Sequence, residues 1–447
     1  MTGQQIVDLN RQYTLFSWSA QRAVHPIPMT HAEGVYFWDA DGRRYMDFSS
    51  QVMNVNVGHG HPKIIAAIKE QADRLLYAAP GFATDVRGEL GQALAEIAPG
   101  DLHKSFFTLG GAEANENAIK LARLFTGRSK IITRYRSYHG ATYGAVSASG
   151  DPRRLANEPG IPGIVRVFDP YCYRCVFGQN PETCQRECIS HIEQVIQFEG
   201  PENVAAILME GVTGTNGVFV PPDDYWPRLR QLCDQYGILL ISDEVMSGFG
   251  RTGAWFAVDH WGVVPDMITA AKGITSGALP LGAVLVSRRI TEYLEDQVFY
   301  GGLTGNSHPM CCAAALATIS VYQEEGLLEN AQRLEPMVRK ALSELQEQHP
   351  CVGEFRGLGL FWAIELVKDR TTREPLSPWR AKGSERGVMA AIKEYLHDHG
   401  LYTDIRWNWI FVAPPLSITT EQLAEGLAII DQALALGDST SKAGSSK

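Results

Sequence analysis

"GILLISDEVMSGFGRTG", Gly237 to Gly253, opens with an apolar run and sets two adjacent carboxylates directly behind it. Ile238 to Ile241 reads as a strand buried on both faces, too short for a helix and preceded by glycine. Asp243 and Glu244 stand at its carboxyl end. In open α/β sheets ligands bind beyond the carboxyl ends of the strands, so the acid pair marks a site as well as a fold. The next apolar run, "DMITAAKG" from Asp266 to Gly273, ends in the same way on Lys272, and no other Lys or Arg stands between Arg251 and Arg288. A buried ammonium is costly unless it is paired or does chemistry. Two strands therefore deliver an acid and an amine to one crevice. A desolvated lysine loses its proton more readily and becomes a nucleophile able to form a Schiff base with an aldehyde.

Outward from this stretch, strand and helix alternate. "SFFTLGG" is strand-like, "AEANENAIKLARLF" helical, "KIITRY" strand-like; later come "VAAILMEG", "YWPRLRQLCDQYG" and "GAVLVS". Such alternation predicts parallel strands joined by crossover helices, an α/β fold with both sheet faces covered. Before it, "GVYFWDADGRRYMDF" predicts a hairpin turning at "DADG". After it, a long helical segment over about 308–346 leads to "GLGLFWAIELV" and "WIFVAPPLSI", strands of a smaller α+β lobe ending in "TEQLAEGLAIIDQALAL". The chain divides into 1–60 and 326–436 as the two parts of a small domain, 61–325 as the large domain, and 437–447 as a disordered polar tail.

Bulk properties agree. With 447 residues, 45% of them hydrophobic and 20% charged, two domains of an ordinary globular protein are expected. A formal net charge of -10 argues against nucleic acid or a polybasic membrane surface as partner. The start lacks a signal-peptide pattern, no apolar run reaches spanning length, and eight cysteines do not make a disulfide scaffold, which together read as a reducing cytoplasm.

"GFGRTG", Gly248 to Gly253, matches G-x-G-x-x-G behind a strand and raises a nicotinamide- or flavin-dependent oxidoreductase as the rival class. Its context fails: a dinucleotide fingerprint opens a helix, whereas "AWFAVDHWGVVPD" brings aromatics, Gly and Pro. Where a ribose-binding acid belongs, roughly twenty residues on, stand Lys272 and Gly273.

"SDEVMSGFGRTG" followed by "PDMITAAKGI" resembles the signature of the class III aminotransferases, pyridoxal-phosphate enzymes of fold type I. The likeness runs from about residue 30 to 430, with "GGAEANENAIKLAR", "YHGAT", "LTGNSHP" and "APPL" in the expected order. It implies a large domain with a mainly parallel sheet and a small domain from both chain ends. Lys272 is then the lysine that tethers pyridoxal 5'-phosphate and moves a proton, and Asp243 partners the pyridinium nitrogen. Val245, Tyr138 and His139 line the ring, and Glu210 matches a strand-end glutamate, although Gly211 replaces the usual proline. Gly110, Gly111 and Ala112 open a helix whose first amides suit a phosphate. Relatives often carry serines where Gly110 and Ala112 stand, so another hydroxyl is expected to help. Thr304 resembles the threonine that reaches the neighbouring subunit's cofactor, which implies a homodimer.

For the substrate, the resemblance points to an ω-aminotransferase. The donor is a primary amine or ω-amino acid of the taurine, β-alanine, diamine or arylalkylamine type, and pyruvate is the favoured keto-acid acceptor. An acceptor role for 2-oxoglutarate, or an aminomutase or racemase on the same lysine, is the alternative. Arg406 in "YTDIRWNWIFVAPPL" is similar to a mobile arginine that meets a carboxylate or sulfonate; its rival reading is a surface pair with Asp404. Thr215 stands where relatives that use glutamate or γ-aminobutyrate carry the glutamate that neutralises this arginine. Trp18 and Met53 match pocket-lining positions. Finally, Cys172, Cys175, Cys184 and Cys188 form a C-x2-C-x8-C-x3-C array compatible with a structural zinc or with free thiols.

Overall fold

The computed structural model describes residues 1–441. A seven-stranded sheet forms its centre, in the spatial order Leu102–Thr108, Gly282–Ser287, Met267–Ala270, Leu239–Asp243, Val204–Glu210, Lys130–Arg134 and Ile164–Val167. Each pairing from Met267–Ala270 to Ile164–Val167 is parallel, and only Gly282–Ser287 runs against its two neighbours. The apolar runs explain this placement. Every residue of Val204–Glu210, Leu239–Asp243 and Met267–Ala270 is buried, as central strands covered on both faces must be. The parallel register aligns Glu210 with Asp243 and Asp243 with Thr269, so the three strands end together on one edge.

Both chain ends meet in a second sheet. Met29–Glu33, Tyr36–Asp39 and Arg44–Asp47 pair antiparallel, and Leu401–Tyr402 adds to Arg44–Asp47 in parallel. The expected hairpin is there. Asp39 Oδ1 accepts from the amides of Asp41 and Arg43 at 3.0 and 2.9 Å, and Gly42 takes a φ of +81°. A third, antiparallel sheet orders Val352–Leu358, Phe361–Asp369, Trp409–Val412 and Ile405–Arg406.

Two expectations change. The long helical segment is two helices, Pro309–Glu324 and Leu327–Gln348, broken where Gly326 adopts a left-handed φ of +59°. The last helix, Thr420–Asp438, takes in Gly437 and Asp438 from the stretch read as tail, because Gly437 packs against Cys351 and Asp438 anchors His349. Residues 442–447 of that tail lie outside the described residues.

Candidate active site

Asp243 closes its strand nearly inaccessible, and its carboxylate is fixed from three directions. Oδ2 accepts from Asn115 Nδ2 at 2.8 Å and meets His139 Nδ1 at 2.7 Å, while Oδ1 accepts from the Val245 amide at 3.0 Å. Asn115 is itself held, since its Oδ1 accepts from Thr269 Oγ1 and its Nδ2 also reaches the His139 carbonyl, both at 2.8 Å. One strand over, Lys272 begins a single 3-10 turn with a left-handed φ of +51°. Burial pushes its ammonium down to about 8, against the opposing charge of Asp243 and with help from the Arg153 charge. Glu210 ends the third strand. Burial, reinforced by the Asp243 charge, pushes its carboxyl up to about 8. Its Oε1 accepts from the Gly214 amide at 3.3 Å, and Oε2 is buried with no protein partner.

The helix Gly111–Thr126 starts beside these groups with no side chain capping it, so its first amides remain open donors. A Cβ on Gly111 would lie 2.8 Å from the Val245 methyls, which shows how closely Val245 packs against the helix start. Gly110 is extended and has free space about it, so the need for glycine falls on Gly111 alone. Gly140, at φ +135°, packs its backbone onto Ala112 and brings "YHGAT" over the helix start.

Tyr138 faces an arginine that the sequence reading missed. The Arg153 guanidinium carbon sits 3.4 Å from the Tyr138 ring centroid and 5.7 Å from that of Trp18. Trp18 itself lies edge-on to Tyr138 at 6.3 Å and is largely exposed. Arg406 arrives from the third sheet and bonds the buried Asp151 at 3.0 Å, not Asp404. Arg153 chelates the same Asp151 and also donates to Thr215 Oγ1 at 2.8 Å. Asp151 and Arg153 carried one visible signal, an Asp-Pro that reads as a turn cap.

Two expected residues stand elsewhere in this protomer. Met53 is buried in an apolar cluster with Tyr171, Val218, Phe219 and Trp409, a packing position instead of a pocket wall. It ends four consecutive non-glycine residues, Ser50 to Met53, that all have left-handed φ. Thr304 is exposed, and its carbonyl accepts from the Tyr77 hydroxyl at 3.0 Å.

The zinc expectation is not upheld. Cys172, Cys175, Cys184 and Cys188 line one cavity of about 20 Å³, all as free thiols. Among the described residues no three metal-ligating side chains are disposed to hold an ion. The loop is held instead by Glu365, which pairs with Arg174 at 2.7 Å and accepts from the Tyr171 hydroxyl. "GFGRTG" likewise opens no α-helix; the next element is the 3-10 turn Ala257–Trp261.

Over residues 18–434 the chain matches the class III aminotransferase family. The chain belongs to the class III aminotransferases. A taurine:2-oxoglutarate aminotransferase from Bifidobacterium kashiwanohense, solved with pyridoxal phosphate and glutamate, is 43% identical with a TM-score of 0.94 over 98% of this chain and 99% of that one. The putrescine–pyruvate aminotransferase of Pseudomonas aeruginosa is 36% identical over 91% of this chain and 90% of its own length. A leucine/methionine racemase from Thermococcus litoralis is 37% identical over 97% and 96%.

As a class III aminotransferase the protein is a pyridoxal-phosphate-dependent transaminase. Its residues fit that cofactor. A lysine with a depressed pKa, a locked carboxylate, open helix amides and an unpartnered buried His139 Nε2 converge where the central strands end. No helix among the described residues of this aminotransferase is long and apolar enough to cross a membrane.

Proposed function

We propose that the protein is an ω-aminotransferase whose donor carries its amine at one end and an anionic group at the other, taurine and β-alanine being the types that fit. Pyruvate is the preferred acceptor. The observation that carries this reading is a pair of cations on one carboxylate: Arg153, whose charge acts on Lys272, shares Asp151 with Arg406, so positive charge is left to meet a sulfonate or carboxylate.

In this reading Lys272 holds the cofactor aldehyde, Asp243 keeps the ring nitrogen protonated, and the amides at Gly111 and Ala112 hold the phosphate. Val245, Tyr138 and His139 would line the cofactor ring. Bound pyridoxal phosphate supplies an electron sink for the bond broken at the substrate Cα. The protein contributes the proton traffic. Lys272 Nζ, lowered to about 8, can both take a proton from Cα and return one near neutral pH. Asp243 cannot swing away, because Asn115, His139 and the Val245 amide hold it in register. Glu210, raised to about 8, remains neutral below that pH and adds no second negative charge beside Asp243. Two half-reactions follow, the donor leaving as a carbonyl and the keto acid leaving as an amino acid.

The functional unit in this reading is a homodimer, and it works in the cytoplasm. Thr304 supports the dimer: it is exposed, its carbonyl accepts from the exposed Tyr77, and at its neighbour Gly305 a Cβ would lie 2.7 Å from the exposed Leu109. Apolar groups exposed together mark a contact surface.

Two other readings have a specific basis. The relative from Bifidobacterium supports 2-oxoglutarate as acceptor, and the racemase relative supports isomerisation on the same lysine. Incubation with taurine, β-alanine or benzylamine separates them. Alanine formed from pyruvate supports the proposal, glutamate formed from 2-oxoglutarate in its place replaces the acceptor, and racemisation of L-leucine, supplied in a parallel incubation without any keto acid, overturns transfer.

A further inference from the structure

We propose that Asp151 is the internal counter-ion of the substrate pocket. It holds Arg153 and Arg406 when the molecule in the pocket offers no anion, and it cedes Arg406 when one arrives. The proposal rests on the aminotransferase reading above and adds to it the residue that sets charge selectivity.

The geometry is asymmetric in a way that matters. Asp151 is fully buried, while the side chains of Arg153 and Arg406 keep 18% and 23% of their surface. An incoming anion therefore meets guanidinium faces and never the carboxylate. Arg153 is bound to Asp151 many times over. Its amide and Nε donate to Oδ1 at 2.9 and 3.1 Å, its Nε also reaches Oδ2 at 2.8 Å, and its Nη2 closes on Oδ2. It is further held by Thr215 and by the Tyr138 ring. Arg406 touches Asp151 through a single Nη2, at 3.0 Å from Oδ2, and Asn216 Nδ2 completes the shell at 3.5 Å. A one-point contact is the one that breaks first. When it does, Asp151 keeps Arg153 as partner and is not left as an uncompensated buried charge.

The charge balance gives the selectivity. Asp151 neutralises one of the two guanidinium charges that it holds, and Asp404, raised to about 6 by burial, partly offsets Arg406 from two residues away; the positive charge left over is what a sulfonate or carboxylate meets. An uncharged donor leaves the surplus as it was. If Asp151 were neutral, both arginines would lack a counter-ion; anions would bind more tightly and uncharged donors would face a pocket harder to desolvate. If a second carboxylate stood at position 215, beside Arg153, the surplus would vanish.

Asp151→Asn isolates the charge. Asp151 caps the short turn Pro152–Asn157 by accepting from the Arg153 amide, and asparagine caps as well as aspartate does. The holoenzyme and its Asp151→Asn and Thr215→Glu variants are titrated calorimetrically with ethanesulfonate, an anion that cannot react. The ratio of kcat/KM for taurine over benzylamine, each with pyruvate, is then measured. Asp151→Asn is expected to bind ethanesulfonate about tenfold more tightly and to raise the ratio about tenfold through KM. Thr215→Glu is expected to move both quantities the other way by a similar factor. A merely structural role for Asp151 gives no such opposition, so shifts within twofold, or in the same direction for both variants, overturn the proposal. If Asp151→Asn fails to fold, Asp151→Ser, which also caps the turn, takes its place in both measurements. A wild-type enzyme that forms no alanine from either donor overturns the functional reading and this proposal together. A wild type that transaminates, with variants that leave affinity and ratio unmoved, overturns only the counter-ion.

Discussion

Lys272 and Asp243, the proposed catalytic pair, are prepared by different means. Burial lowers the lysine to about 8, so that a minor neutral fraction exists at neutral pH, whereas three hydrogen bonds keep the aspartate oriented as an acceptor. The apoenzyme should therefore capture pyridoxal phosphate with a rate that climbs as pH rises toward about 8 and levels above it, since only the neutral amine attacks. Stopped-flow absorbance against pH checks this. Lys272→Ala should show no covalent capture under borohydride and lose about 10²- to 10⁴-fold in rate, the span that a positioned proton carrier contributes. Both residues were legible because each closes an apolar run, and strand ends are where α/β sheets keep their chemistry. Asp151 and Arg153 were not. "GDPRRL" reads as a capped turn, and nothing local says that Arg406, 255 residues away, shares its carboxylate. Met53 is buried in an apolar cluster, and a methionine at a pocket position and one in a core look alike in sequence.

Two segments bring backbone and site into contact. At the head of Gly111–Thr126, glycine is required by the Val245 methyls and not by dihedral freedom. Gly111→Ala should weaken cofactor affinity, and Gly111→Ala with Val245→Ala should recover much of the loss. A double-mutant cycle on cofactor Kd should return a coupling of about 0.5–3 kcal/mol, the range for residues in contact. The turn Ser50 to Met53 is left-handed throughout, and a β-branched residue there is a genuine outlier; Val52 has φ +66°. Asp47 Oδ1 holds this turn by accepting from the amides of Ser49 and Gln51 at 3.1 and 3.2 Å. Val52→Gly should raise Tm, as read in a thermal melt, because glycine takes this conformation without strain. The sequence showed the hairpin, the central strands and the terminal helix, whose signals are local. It concealed the strand order and this left-handed turn, because both are imposed by partners remote in the chain.

At the scale of the molecule, one histidine ties the C-terminal helix to the end of the helix Leu327–Gln348. His349 lies between Asp438 on Nδ1 at 2.6 Å and Asp431 on Nε2 at 2.7 Å. Burial alone would lower its pKa, but these two acceptors outweigh it and hold it above the ordinary value. Its contribution to stability is thus complete below the unfolded pKa near 6.5 and is lost as pH rises through the raised folded value. The Tm gap between wild type and His349→Asn should be widest at acidic pH and should narrow above neutrality. A second test concerns assembly. Thr304→Ala should lose cofactor faster on dilution while matching wild type at high concentration; equal retention throughout would remove the subunit-shared site.

The pairing of Arg44–Asp47 with Leu401–Tyr402 has a consequence for biosynthesis. An emerging polypeptide offers the first three strands of that sheet early, yet their closing neighbour leaves the ribosome more than 350 residues later. Until then the open rim of Arg44–Asp47 must wait, a ready template for unrelated strands. Nascent chains stalled before Leu401 should accordingly attract chaperones, and completing translation through Tyr402 should release them.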